Sequence, residues 1–426
     1  MTSVETRDER PDTIPVQVVD CDVHPVPRSM DEFVEHYPEP FRSRYFSRYK
    51  EDVPLSFLLY TPHSNTGGSQ GMGGPGGYAV PPNGGGGGSD PDFLAQQLCV
   101  EHGIDYCIMN PLFFRPRHWD AEWDAAHAAA TNDWLAANWL EGDANRHGRF
   151  FGSIQVTSMD AAAAAREVER WAGHPAFIQS YMLADSFVAF GNPQYDPLLK
   201  ASAQHGLPLA THLYRHSGMR SLTPVGFPSY HVEVLPNWIF TYISHITSAV
   251  FEGVFERYPE LKFVAVEGGC EWAGPLQWRL DRQWEALKGE VPQSSRRPSE
   301  VIREHVRFAT QPLCEPRGAK DLVRFMEWGG AEETIVFSSD YPHYDFDPAG
   351  WVSQQLPEKW RHRVMAGNAL KTYPQLPSER PRDHLDDIVA VNPRMEAGER
   401  RHTALAAAAR LAAGEIAGPT AIESLD

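Results

Sequence analysis

The stretch VVDCDVHP, residues 18–25, is a short β-branched run that ends in an aspartate and a histidine. Side chains alternate between the two faces of a strand, so Asp22 and His24 are expected to share one face, with Cys21 and Val23 on the other. In a βα barrel, the carboxyl ends of the strands form the mouth of the active site. The stretch therefore predicts a strand with a pair of ligand-type side chains at its end, and the fold depends on how many such strands follow.

Short apolar runs alternate with longer amphipathic stretches along the chain, and eight of the runs have the length of buried parallel strands. The strand candidates are residues 16–21, 105–110, 150–156, 178–183, 207–212, 262–267, 306–310 and 334–338. The helix candidates between them are residues 120–140, 160–172, 196–204, 237–256, 271–287 and 319–327. Eight βα units predict a (β/α)8 TIM-type barrel. A doubly wound nucleotide-binding sheet is disfavoured, because no Gly-x-Gly-x-x-Gly follows the first strand.

Composition narrows the class of protein further. The 426 residues carry 38 Lys and Arg against 56 Asp and Glu, a formal net charge of −18, which argues against a nucleic-acid-binding surface. No run approaches the ~18 apolar residues of a membrane helix. The five cysteines form no Cys-x-x-Cys pair, and the first residues have no apolar signal-like region. We therefore expect a cytoplasmic protein without a membrane or nucleic-acid partner.

Two segments differ in composition from the rest and set the expected domain organisation. Residues 63–90 are rich in Gly, Pro, Ser and Asn, and are expected to be a flexible insertion, with a mobile lid as the alternative. Residues 375–426 form a C-terminal extension in which an Ala/Arg/Glu-rich stretch predicts a surface helix. The predicted barrel spans residues 16–374, and residues 1–15 are expected to be flexible.

Further ligand-type side chains lie at the ends of later strand candidates. His212 ends the fifth in PLATH, Glu267 ends the sixth in VAVE, and Asp340 follows the eighth in IVFSSD. Each residue alone has an ordinary structural explanation, since aspartate is also a favoured helix cap. Together with Asp22 and His24, they predict a metal site at the barrel mouth.

The sequence also resembles the amidohydrolase-related group that includes the aminocarboxymuconate-semialdehyde decarboxylase-like enzymes. The resemblance covers residues 18–373 and is carried by DCDVHP, by FEGVFERYPELKFVAVEGGCEW, and by SSDYPH followed by GNALKTY. It implies one divalent metal ion held by the matching positions Asp22, His24, His212 and Asp340. Two imidazoles and two carboxylates favour zinc, with manganese as the alternative.

The chain departs from the group's pattern at two positions. Many members have His-x-His on the first strand, whereas this chain has Asp22 and His24, similar to the carboxylate-x-His of some aromatic-acid decarboxylases in the group. The well-studied decarboxylases have a catalytic histidine at the end of strand six, where this chain has Glu267. We expect Glu267 to be a general acid or base, or else a partner of His212 or of an arginine.

Other residues are candidates for proton transfer or substrate binding. Asp340 could shuttle a proton, and His245, in FTYISHITS, is either a secondary catalytic group or a core histidine. A carboxylate substrate needs a cation, and the sequence offers Arg115, Arg117 and Arg215 just beyond the second and fifth strands. His343, just after Asp340, is a further substrate-binding candidate.

The resulting functional prediction is a metal-dependent non-oxidative decarboxylase (carboxy-lyase) for a small cyclic or unsaturated carboxylate. A divalent ion can polarise a substrate oxygen or activate water, so a hydrolase of C–N or C–C bonds is the alternative. A non-catalytic barrel acting in protein association is a second alternative. Relatives in the group often form dimers, which implies a homo-oligomer.

Overall fold

The structure is a computed structural model of the 426-residue chain. It describes residues 16–44, 79–112, 120–184, 186, 188–213, 226, 229–230, 233, 235–314, 316, 319–343 and 345–381. Residues 1–15, 63–78 and 382–426 lie outside the described residues, so the expected flexible N-terminus, most of the glycine-rich insertion and the predicted C-terminal helix are not described.

Eight parallel strands form one sheet in the order of the sequence. They are β1 (Val19–Val23), β2 (Tyr106–Met109), β3 (Phe150–Val156), β4 (Phe177–Leu183), β5 (Leu209–His212), β6 (Phe263–Val266), β7 (Val306–Ala309) and β8 (Ile335–Val336). The sheet closes where β1 meets the chain after β8, since Cys21 N–H donates to Phe337 O (3.0 Å) and His24 N–H donates to Tyr341 O (2.8 Å). The predicted (β/α)8 barrel is confirmed.

Two strands differ from their predicted form. Strand β8 has only 2 residues, and it is followed by a turn in which His343 N–H donates to Asp340 O (2.8 Å). In β1, the pairing with β2 shifts register between Asp20 and Val23. This irregularity overturns the strict alternation expected for this strand. Cys21 packs in the apolar cluster inside the barrel instead of lying on the opposite face from Asp22.

Helices connect the strands and cover the outside of the barrel. The α-helices are Met30–Val34, Pro91–Ala95, Ala121–Leu135, Ala161–Trp171, Asp196–Gln204, Ile239–Phe251, Val254–Arg257, Ala273–Leu287, Pro298–His305, Ala319–Gly329, Ala331–Thr334, Ala349–Gln355, Glu358–His362 and Asn368–Thr372. Single π-helical turns are Gln96–Glu101, Ala136–Leu140 and Arg363–Gly367, and 3-10 turns are Gly142–Asn145, Pro193–Tyr195, Leu235–Asn237 and Lys288–Glu290.

Aspartate caps fix the start of several helices, as the sequence predicts. The side chain of Asp120 accepts from the Glu122 and Trp123 N–H groups. The side chain of Asp160 likewise accepts from the first N–H groups of the helix Ala161–Trp171. The helix expected over residues 237–256 is instead two helices, because Gly253 adopts a left-handed conformation (φ 68°) between them. No helix in the described part of the chain is long and apolar enough to cross a membrane.

The barrel has an inner and an outer apolar core. The inner cluster takes side chains from all eight strands, among them Val19, Tyr106 and Tyr181, and the outer cluster lies between the strands and the helices. The segment after β8 closes the amino-terminal end of the barrel: Tyr373 joins the inner cluster, and Arg380 forms an ion pair with Asp105 (3.1 Å). This floor leaves the carboxyl ends of the strands as the open side.

Candidate metal centre

Four side chains from three strand ends converge at the barrel mouth. Asp22 lies in β1 and His24 directly follows it, His212 lies at the end of β5, and Asp340 lies in the turn after β8. Each is at most 1% exposed. His24 Nε2 lies 2.8 Å from Asp340 Oδ1 and 3.3 Å from Asp22 Oδ1, and His212 Nε2 lies 3.4 Å from Asp22 Oδ2. The four donor atoms lie within 4.8 Å of one another.

The hydrogen bonds of the two imidazoles define which ring nitrogen faces the cluster. His24 Nδ1 donates to Asn110 O (2.7 Å), and His212 Nδ1 donates to Leu213 O (2.5 Å). A neutral imidazole that donates through Nδ1 carries its lone pair on Nε2. Both Nε2 lone pairs therefore face carboxylate oxygens, which also only accept. With neutral imidazoles, acceptors converge on acceptors, and either a proton on Nε2 or a shared cation resolves that conflict.

Unpartnered buried atoms agree with this interpretation. Asp22 Oδ2, Asp340 Oδ2 and His212 Nε2 are buried and have no hydrogen-bond partner in the structure. A buried polar atom without a partner costs about 1–3 kcal/mol. Three such atoms in one cluster, on side chains that are all suitable metal ligands, fit a divalent ion.

The local charge also favours a cation. Burial opposes charge on His24, but the carboxylates of Asp22 and Asp340 outweigh it and raise the pKa of this imidazole well above its usual range. Burial likewise opposes ionisation of Asp22, and His24 and His212 lower its pKa overall. The cluster therefore holds its carboxylates ionised and attracts positive charge.

Glu267 and His343 border the four-residue cluster. Glu267 Oε2 lies 3.1 Å from His212 Nε2, so the structure places it beside the cluster at the end of β6. Burial raises the pKa of Glu267 well above its usual range, and the charges of Asp340, Asp345 and Asp22 add to this effect. His343 Nδ1 lies 2.6 Å from Asp340 Oδ1, its ring stacks on His24 at 4.6 Å, and its side chain is 24% exposed. His343 thus lies at the accessible edge of the site.

Sequence reasoning missed two residues that hold the ligands in place. Asn110, counted only as the last residue of a strand, donates from Nδ2 to Asp22 Oδ1 (2.9 Å) and to Cys21 O (3.0 Å). Asp20 Oδ1 accepts from the N–H groups of Asp22 (3.1 Å) and Ser339 (2.9 Å), and burial raises the pKa of Asp20 to about 7. A polar residue at a strand end was the only signal for Asn110.

The other candidates from the sequence have different positions. His245 is buried outside the cluster: its Nδ1 accepts from Phe190 N–H (3.3 Å), its Nε2 donates to Ala184 O (2.9 Å), and its ring stacks on Phe190. These contacts hold the loop after β4. Arg115, Arg117 and Arg215 lie outside the described residues.

The described end of the glycine-rich insertion packs directly against the site. Gly88 has φ 76°, and a Cβ at this position would lie 2.5 Å from the backbone oxygen of His24. Gly88 O accepts from Val26 N–H (2.9 Å). Only glycine fits this approach without displacing the chain that carries His24.

Fold and site together define a barrel enzyme with a buried centre for one divalent ion. The family model for amidohydrolases matches residues 19–375. The chain belongs to the amidohydrolase family, and it is an enzyme of the metal-dependent amidohydrolase superfamily. This confirms the family predicted from the sequence motifs. No match was found among curated protein sequences.

Several solved structures share the fold. They include 5-carboxyvanillate decarboxylase from Sphingomonas paucimobilis (21% identity, TM-score 0.56, 84% of this chain and 99% of that chain). A dihydroxybenzoic acid decarboxylase from Polaromonas sp. with bound manganese has 18% identity and a TM-score of 0.55, over 84% of this chain and 96% of that chain. An amidohydrolase from Mycobacterium avium subsp. paratuberculosis has 18% identity and a TM-score of 0.60, over 84% of this chain and 99% of that chain.

Proposed function

We propose that the protein is a metal-dependent non-oxidative decarboxylase of a small cyclic or unsaturated carboxylate. The observation that carries the proposal is the position of Glu267: an acidic side chain outside the four-ligand set that faces it, 3.1 Å from His212. Decarboxylation needs an anchored substrate oxygen and one acid close to the carbon that loses CO2. Decarboxylases among the structural neighbours support the same class of reaction.

In this proposal, Asp22, His24, His212 and Asp340 hold one divalent metal ion. The ion supplies Lewis acidity that anchors and polarises substrate oxygens. Zinc suits two imidazoles with two carboxylates, and manganese is the alternative, as in the Polaromonas neighbour. Elemental analysis of protein purified without added metal distinguishes them.

Glu267 is the proposed acid. The bond between the ring or alkene carbon and the carboxylate breaks, CO2 leaves, and the electron pair that remains on the carbon takes a proton from Glu267 Oε. Glu267 then regains a proton from solvent, so no oxidant or reductant is consumed. His343, at the accessible edge of the site, is proposed to contact the substrate, together with Arg115, Arg117 and Arg215. His245 stays a secondary candidate.

The test uses metal-loaded protein and a panel of hydroxy-substituted aromatic and enol carboxylates in D2O. The expected result is release of CO2 and a product with one deuterium at the carbon that carried the carboxylate. The Asp22→Ala variant is the inactive control. If products instead gain oxygen from labelled water and no CO2 is released, the decarboxylase proposal is wrong and the hydrolase alternative replaces it.

A cytoplasmic location and a homodimer complete the proposal. Light scattering on the purified chain tests the dimer.

A further inference from the structure

A chain of buried polar side chains runs through the inside of the barrel, beneath the proposed metal centre. Its members are Asn110, Ser153, Gln179 and Tyr373, and each has no exposed surface. They come from β2, β3, β4 and the floor segment after β8. Because the path lies beside the inner apolar cluster and is fully buried, its connected polar side chains need an explanation.

The hydrogen bonds of this path all point toward the metal ligands. Tyr373 O–H donates to Gln179 Oε1 (2.7 Å), and Gln179 Nε2 donates to Asn110 Oδ1 (3.0 Å) and to Ser153 Oγ (2.8 Å). Ser153 O–H also donates to Asn110 Oδ1 (2.6 Å). The amide orientation of Asn110 is therefore fixed, since two donors occupy its oxygen.

Asn110 in turn contacts both ligands of the first strand, Asp22 through its fixed side-chain amide and His24 through its backbone oxygen. Its Nδ2 donates to Asp22 Oδ1, and its backbone oxygen accepts from His24 Nδ1. A partner of this kind sets the orientation and the charge distribution of a metal ligand. If the Asn110 amide were rotated, its oxygen would face the Asp22 carboxylate, and the two oxygens would repel each other.

We propose that Tyr373 and Gln179 are positioning residues that act through Asn110 on the affinity of the metal centre. Tyr373 thereby connects the barrel floor with the opposite, open end. The inference goes beyond the proposed reaction and rests only on its four-ligand metal site. Deletion of the Tyr373 hydroxyl leaves Gln179 Oε1 without its donor and loosens the Gln179 amide, which is one of the two donors that fix the Asn110 amide.

The test measures Zn2+ and Co2+ affinity by chelator competition and records the visible spectrum of the Co2+-loaded protein. Asn110→Ala is expected to weaken binding about 10-fold to 100-fold. Tyr373→Phe is expected to weaken it about threefold to tenfold, the range of one net hydrogen bond. Both variants should shift the Co2+ bands, because the Asn110 amide is absent or holds the Asp22 carboxylate less firmly. The matched control is Tyr106→Phe, which removes a hydroxyl of the same inner cluster that donates to Glu379 O (2.6 Å).

A double variant separates positioning from general loss of stability. If Tyr373 acts through Asn110, the variant Tyr373→Phe/Asn110→Ala binds metal no more weakly than Asn110→Ala alone. Additive losses, or a Tyr373→Phe protein with the affinity and spectrum of Tyr106→Phe, would overturn the proposal. If the wild-type protein takes up no metal, the metal site of the proposed function is wrong as well. If only the positioning role of Tyr373 and Gln179 is wrong, the wild-type protein still binds the metal ion.

Discussion

Glu267 and Asp340 share an unusual backbone conformation at the ends of β6 and β8. They are the two non-glycine residues with positive φ in the described chain, at 57° and 61°. Such a conformation costs of order 1–3 kcal/mol per residue and is retained where the surroundings impose it. Both side chains face the same cluster of imidazoles. The strain therefore coincides with the two acidic groups that the proposed chemistry needs.

Removal of a proposed metal ligand is expected to abolish metal binding. In His212→Ala and Asp340→Asn, one strong donor is lost, and we expect the three that remain to hold the ion too weakly for it to survive purification. Elemental analysis should find about one ion per chain in the wild type and almost none in either variant. The matched control is His305→Gln, which alters a fully buried histidine outside the cluster and should keep the metal. Retained metal in His212→Ala would contradict the ligand assignment.

Glu267→Gln is expected to lower turnover by about 10²-fold to 10⁴-fold, because the amide cannot donate a proton to carbon as an acid does. Its metal content should stay close to that of the wild type, since Glu267 lies outside the four-ligand set. Steady-state kinetics and elemental analysis on the same sample check both statements. Glu271→Gln, in the same loop, is the control. Equal losses of turnover in Glu267→Gln and Glu271→Gln would show that turnover depends on the conformation of this loop and not on the acid of Glu267.

His245→Gln is expected to lower the free energy of unfolding by about 1–3 kcal/mol, because both ring nitrogens bond to the backbone of the loop after β4. Turnover should fall much less than in Glu267→Gln. Denaturant unfolding and kinetics on one preparation separate these effects. A loss of turnover as large as that of Glu267→Gln, at unchanged stability, would instead make His245 catalytic.

His102 and His147 should each contribute stability that is lost as the pH falls from about 6.5 to about 4. Burial lowers the pKa of His102 and of His147 from 6.5 to about 4. In this window these two imidazoles bind protons in the unfolded chain and not in the folded chain, so their contribution to the free energy of unfolding rises with pH. Thermal unfolding of His147→Gln should depend less steeply on pH than that of the wild type at the same metal concentration. His205→Gln, which alters an exposed histidine, is the matched control.

Gly88→Ala is expected to reduce both stability and metal affinity. A left-handed alanine costs roughly 1–2 kcal/mol, and the new Cβ would also press on the backbone oxygen of His24. Gly84→Ala is a matched control, since Gly84 has φ 91° and a methyl group there would meet nothing within 4 Å. Chelator competition should find weaker metal binding only in Gly88→Ala. Equal affinities in the two variants would show that the contact with His24 is unimportant.

The sequence predicted the order and approximate position of all eight strands, because buried parallel strands have a simple apolar signature. The convergence of Asp22, His24, His212 and Asp340 followed from their places at strand ends. The register shift in β1 was not predictable, since it depends on pairing with β2 and not on the local pattern. Gln179 and Tyr373 gave no signal, because only the closed barrel brings residues 194 positions apart into contact.

The contact between His24 and Asp340 joins residues 316 positions apart, at the seam where the first strand meets the chain after the last. During translation, Asp22 and His24 are synthesised first, and Asp340 follows only after all eight strands have been made. A truncated chain that ends before Asp340 would lack one of the four proposed metal ligands. Ion uptake would therefore report synthesis at least as far as Asp340, and an ion bound there would link β1 to the chain after β8.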